Sequence, residues 1–263
     1  MNINPAVQSA LEILNKTPVN AESTVTYESE GNLLIIADTT LAEQCIDMLS
    51  DKLHPLVLLT DQCRPKLATT LKQARIPYLS QVNNIQVTGY MGTFQVTAEY
   101  LLDNAETTLT TSDQSPSNQQ NQSLEESTQE HFLHLHQLDE VVFDLVVDGQ
   151  NPPALNSALH PPGYFVCSGN TQDLEQSLDN LADWIGVFDK PKYFGFIAER
   201  CAHSANSIIG CNQCIEHCPT QAISSDNGHI SIDPYLCQGC GDCATTCPSG
   251  AIVYRYPSSA QMQ

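Results

Sequence analysis

Basic residues are scarce in this sequence. It holds 10 lysines and arginines against 30 aspartates and glutamates, a formal net charge of −20 over 263 residues. Such a field repels nucleic acid and anionic membranes, which are themselves negative, and suits a partner with a basic docking surface. Long hydrophobic runs are missing as well. "LLIIA" and "PLVLL" fall far short of the ~20 apolar residues of a membrane-spanning helix, so no membrane insertion is expected. The opening stretch, "MNINPAVQSALEILNKTPVN", lacks a basic leader, a long apolar core and a twin arginine, so a cytoplasmic protein is expected. In that reducing compartment, clustered cysteines bind metal more often than they form disulfides.

Phosphate-binding loops are also lacking. The turn "ADTTLAE" carries neither G-x-G-x-x-G nor G-K-S/T, which argues against a nucleotide site. Around it the pattern is regular. "NLLIIAD" is an apolar run of strand length. Thr40 to Glu43 reads T-x-x-E, a capping box that predicts a helix over "LAEQCIDMLSDKL", and "HPLVLLTD" is a second strand. Strand, helix and strand at this spacing make a βαβ unit with parallel pairing. Residues 3–16 have amphipathic helical spacing. "NIQVTGY" and "TFQVTAEYLL" read as further strands, as does "VVFDLVVD".

Between these strands, residues 104–130 contain no lysine, arginine or aromatic and almost nothing to bury. They are expected to form a disordered insertion between two strands of one sheet. His131, His134 and His136 follow at once. On a strand His134 and His136 share a face and His131 does not, and partly exposed strand histidines are the expected reading rather than a metal site. "TQDLEQSLDNLADWIGVFDKP" places Leu174, Leu178, Leu181 and Trp184 at helical spacing, which predicts a linking helix over 171–191 stopped by Pro191. An N-terminal domain, 1–170, is therefore expected to be a small α/β unit with a mixed sheet.

The last seventy residues carry the chemistry. Cys237, Cys240, Cys243 and Cys247, followed by Pro248, form a complete C-x2-C-x2-C-x3-C-P run. Cys211, Cys214 and Cys218 with Pro219 match the last three cysteines of the same run, and Cys201 stands upstream where a first cysteine belongs. Nine residues, "AHSANSIIG", separate Cys201 from Cys211 where the motif has two, and ten Cα steps close that loop easily. "CPTQAIS" and "CPSGAIV" repeat C-P-x-x-A-I, and Asn227-Gly228 is a hairpin turn signal between the copies. Zinc ribbons, by contrast, use two Cys pairs separated by a hairpin.

This region, about residues 192–256, resembles bacterial-type dicluster ferredoxins. The resemblance implies a pseudo-two-fold domain over 192–257, a tail at 258–263, and an α+β chain overall. It implies two 4Fe-4S clusters in which the fourth cysteine of each run serves the other site. Cys201, Cys211, Cys214 and Cys247 would then hold one cluster, and Cys237, Cys240, Cys243 and Cys218 the other. Cys45, Cys63 and Cys167 are read as ordinary thiols. "KPKYF", the C-A-H-S segment and "DPYLCQGCGDCATTCPSGAI" behind an α/β segment also look like the N-terminal half of large bacterial ferredoxin-like proteins encoded near formate dehydrogenase genes. Those proteins continue into further domains and a second such module. The expected function is electron transfer between oxidoreductase partners, with formate dehydrogenase as one such partner, and not enzymatic turnover. The alternative is a scaffold or accessory protein for oxidoreductase assembly.

Overall fold

The computed structural model describes residues 23–100, 142–167, 178, 180–203 and 210–256. The helix expected over 3–16, the insertion 104–130, the three histidines at 131, 134 and 136, and residues 171–177 and 179 of the linking helix lie outside those residues. The chain divides into two compact units, Tyr27–Phe188, and Asp189–Gln263 together with Met1–Thr26. The boundary falls within strands β1 (Thr24–Ser29) and β10 (Gly186–Pro191).

The unit Tyr27–Phe188 is built on a five-stranded sheet. Its strands are β2 (Asn32–Ala37), β3 (His54–Leu59), β4 (Tyr78–Leu79), β8 (Leu145–Asp148) and β9 (Tyr164–Val166), in the order β4-β3-β2-β8-β9. Every pair in it is parallel. Parallel sheets are covered on both faces, so their strands read as continuous apolar runs, and Leu33, Leu34, Ile35 and Ile36 are indeed wholly buried in succession.

Helices α1 (Thr39–Met48) and α2 (Pro65–Ala74) make the crossovers. α1 begins two residues earlier than the capping box predicted. Asp38 is its N-cap and accepts from the Leu41 N–H at 2.7 Å, while Asp61 accepts from both the N–H and the hydroxyl of Thr39. A cap carboxylate directly after the strand satisfies the free helix donors sooner than Thr40 does. α2 opens on Pro65, where no N–H is needed.

A second sheet is antiparallel: β5 (Val82–Thr88), β6 (Phe94–Tyr100) and β7 (Val142–Phe143). The expected mixed sheet is thus two sheets, one of each kind. The reason lies at Asp144, where the chain leaves the antiparallel β7 and enters the parallel β8. Its buried carboxylate accepts from the backbone N–H groups of Glu30 and Asn32 and fixes that change of direction. β6 and β7, which flank the insertion in sequence, pair through Phe94–Phe143. Asp148, fully buried at the end of β8, accepts from the N–H groups of Gln150 and Ala154 and from the Tyr164 hydroxyl. Burial, and then the Asp148 charge, push the Tyr164 phenol well above its usual range.

Open α/β sheets bind ligands where the strand order reverses, here at the carboxyl ends of β2 and β8. In this protein that place is filled. Asp38 and Asp61 occupy the N–H groups an anion would use, and a Cβ on Gly149 would lie 2.2 Å from a Leu41 methyl.

The linking helix does not reach Pro191. Leu181–Trp184 is a single 3-10 turn, and the chain continues as β10. Gly186 adopts φ +136, a conformation that ends the turn, and Val187 and Phe188 then favour strand. Among the described residues, no helix is long and apolar enough to cross a membrane.

The unit from Asp189 onward is small. β11 (Phe194–Phe196) pairs antiparallel with β14 (Ile252–Tyr254), and β12 (Ile223–Asp226) with β13 (His229–Ile232). The β12–β13 turn is Asn227-Gly228, both at positive φ, as the sequence signal requires. Two short helices, α3 (Gln213–Glu216) and α4 (Asp242–Thr246), lie between the strands. The core is thin. Phe194, Ile223, Ile230, Ala251 and Ile252 share it with Cys201 and Cys214, and Cys218, Cys237, Cys243 and Cys247 pack against its margin.

Candidate metal centres

The eight cysteines of the two runs converge on two separate places. One cavity is walled by Cys201, Cys211, Cys214 and Cys247, with Ala251 and Ile252 behind them. The other is walled by Cys218, Cys237, Cys240 and Cys243, with Phe194, Ile223 and Tyr193 around them. Each place thus joins three cysteines of one run to the last cysteine of the other. The thiols respond to one another in the same grouping. Burial, then Cys201, Cys211 and Cys247, raise the pKa of Cys214. Burial, then Cys237, Cys240 and Cys218, push that of Cys243 up to about 11.

Local structure explains the crossing. Cys211 and Cys214 lie on and beside α3, and Cys240 and Cys243 on and beside α4. Cys218 and Cys247 come one turn later, where each short helix has ended and the chain reverses through Cys-Pro. Cys201 comes from outside both helices. β11 ends at Phe196, a 3-10 turn over Ala198–Arg200 follows, and the Cys201 N–H closes it on the Ala198 carbonyl. Its side chain is only 8% exposed, as is that of Cys214, whereas Cys240 is exposed.

Hydrogen bonds to sulfur favour the thiolate, the form that binds metal. Cys247 Sγ accepts from the Ala251 N–H at 3.3 Å and lies 3.6 Å from the Ser249 hydroxyl. Burial opposes, but the N–H of Ile252, the Ser249 hydroxyl and the N–H groups of Ala251 and Ser249 outweigh it, and the Cys247 pKa is lowered. Thr220 stands at the matching place in the other copy of C-P-x-x-A-I, its hydroxyl 3.5 Å from Cys218 Sγ. The pairing of the two hydroxyls was visible in the repeat, which has Thr and Ser at the same position, yet sequence reasoning passed over it.

Three further residues were missed. Lys190, 9% exposed, donates from Nζ to the carbonyls of Tyr235 (2.8 Å) and Cys237 (2.7 Å). Burial lowers its pKa to about 8, while Cys237 and Asp233 act in the opposite direction. His203, 1% exposed, donates from Nδ1 to the Cys211 carbonyl at 3.1 Å, and its Nε2 lies 2.7 Å from the Ser225 hydroxyl. Tyr193 lays its ring against Gly239. A Cβ there would sit 2.7 Å from the ring, and Gly239 is at φ +74, so glycine is required twice over. Tyr193 also stacks on Tyr254 at 6.3 Å and meets Tyr256 edge-on at 5.7 Å.

Cys45, Cys63 and Cys167 lie in the other unit. Burial, then Cys167, push Cys45 up to about 12, as for an inert core thiol. A zinc site needs four donors around one point, with sulfur ~2.3 Å away. Two four-thiol walls, apolar surroundings and N–H and O–H donors aimed at sulfur suit a larger sulfide-bearing cluster.

These features define a dicluster iron–sulfur module. A family model described as a 4Fe-4S dicluster domain matches residues 209–251, a span that leaves Cys201 outside. The chain belongs to the dicluster ferredoxin family through this C-terminal segment and carries 4Fe-4S clusters. It is 36% identical over 77 residues to the pyruvate synthase subunit PorD of Thermotoga maritima, a match of 27% of this chain and 78% of that protein. An uncharacterized ferredoxin of Methanocaldococcus jannaschii is 34% identical over 75 residues, 28% of this chain and 40% of the relative. YsaA of Escherichia coli K12, a protein named for a proposed role in electron transport, is 36% identical over 55 residues, 19% and 35%. The chain thus spans well under half the length of these last two.

Proposed function

We propose that this protein carries single electrons between oxidoreductase partners through two 4Fe-4S clusters held by crossed cysteine sets. Cys201, Cys211, Cys214 and Cys247 hold the first, and Cys237, Cys240, Cys243 and Cys218 the second. The observation that carries the proposal is the sorting of eight cysteines into two cavities of four, each drawing its fourth cysteine from the other run. When bound, such clusters store one electron each at a potential set by sulfur hydrogen bonds, charge and burial. The chain supplies the rest. Thr220 and Ser249 place hydroxyls at the two crossing sulfurs, Ala251 donates an N–H, and Ile223, Phe194 and Ile252 keep water from the inner sides.

In this reading the chain has no substrate of its own and is not an enzyme. PorD takes its name from pyruvate synthase, and a comparable oxidoreductase is the partner proposed here, with formate dehydrogenase the candidate from the whole-chain resemblance and the cytoplasm the compartment. The large acidic excess lies outside the cluster unit. From Asp189 onward, Lys190, Lys192, Arg200 and Arg255 nearly balance the acidic residues. A basic patch on the partner therefore meets the acidic remainder of the chain. Anaerobic reductive titration should take up about two electrons per chain and return them to a protein acceptor. Tight binding to an immature oxidoreductase with no electron passed on would support the scaffold alternative instead.

A further inference from the structure

We propose that the buried ammonium of Lys190 raises the reduction potential of the second site, so that the first electron to enter the protein settles at Cys237, Cys240, Cys243 and Cys218. The inference rests on the ligand sets proposed above. Lys190 lies on β10, outside both cysteine runs, and reaches the second loop through the Tyr235 and Cys237 carbonyls. The first loop is tied down differently. There His203 holds the Cys211 carbonyl, the inserted segment "AHSANSIIG" contains no lysine or arginine, and Arg200, the residue before Cys201, is exposed to solvent. A one-electron reduction forms and breaks no bond but adds one negative charge at the site the electron enters. A cation held nearby in a desolvated position favours that charge far more than a solvated one does. Exposure acts in the same direction, because water stabilises added charge at the exposed Cys240 more readily than at the buried Cys201 and Cys214.

The carbonyl bonds alone would make Lys190 a brace for the loop. The proposal differs in requiring its charge, and two variants separate the roles. Lys190→Met removes charge and donors, while Lys190→Gln keeps a donor and removes the charge. Both are followed by potentiometric titration with dithionite as the one-electron reductant and EPR as the readout. The second site's signal is the one altered by Cys240→Ser. Both lysine variants should disfavour reduction of the second site at least tenfold, about 59 mV for a one-electron couple, and leave the first site in place. An unchanged potential in Lys190→Gln would overturn the proposal, as would equal shifts at both sites. Loss of the second site's iron in Lys190→Gln would also overturn it, by showing that the lysine only holds the loop. A wild-type protein without two reducible sites would instead overturn the ligand sets on which the inference rests.

Discussion

Replacing Cys218 with alanine should empty or damage the cluster of the second run, although Cys218 belongs to the first. Iron should fall from about eight per chain to about four, or to about seven if a three-iron cluster remains. The surviving intact site should be the one walled by Cys201, Cys211, Cys214 and Cys247. Cys201→Ala should do the converse and spare the second site. The geometry behind both outcomes is local. Cys218 follows the end of α3 and faces the cavity of Cys237, Cys240 and Cys243, and Cys201 completes the other wall from the 3-10 turn after β11. Iron counting together with EPR of both variants reads the result. If Cys218→Ala instead damaged the site of Cys211 and Cys214, each run would serve its own cluster and the crossing would be wrong. A wild-type three-iron signal unchanged by Cys201→Ala would remove Cys201 from the ligands.

Removing the iron should unfold the cluster unit and leave the unit Tyr27–Phe188 folded. The two rest on different cores. β2, β3 and β8 bury unbroken runs of leucine, isoleucine and valine, whereas the cluster unit fills its centre partly with cysteine. Domains of this size rarely gain more than about 3–5 kcal/mol from a core alone, and metal binding is then part of the folding free energy. After anaerobic chelation, hydrogen exchange at the amides of β11 to β14 should accelerate by on the order of 10²–10⁴-fold, the equivalent of that free energy. The amides of β2, β3 and β8 should stay protected. Protection of β12 and β13 that survives chelation would show that the side-chain core is sufficient without iron.

The parts of this protein legible in its sequence are those written in local patterns. The runs at Leu33–Ile36 and Leu56–Leu59 are continuous because both faces of a parallel sheet are covered. Asn227-Gly228 announces its hairpin through positive φ, and the cysteine spacing carries the cluster loops. Contacts between distant segments were not legible. Lys190 reaches Cys237 across 47 positions, and no periodicity connects a lysine on one strand to a carbonyl on a far loop. The start of α1 was missed because Thr40-x-x-Glu43 and Asp38 are both good caps, and the tertiary contact with Asp61 favours the earlier start. The continuation after Trp184 was misjudged because leucine spacing says nothing of where Gly186 ends a turn.

The account stands or falls on the metal the cysteines bind. Iron and acid-labile sulfide, measured on the anaerobically purified wild-type chain, should each reach about eight per chain, with the broad visible absorption of 4Fe-4S clusters. About four of each would leave one of the two cavities without a cluster. Stoichiometric zinc without sulfide would contradict the account altogether.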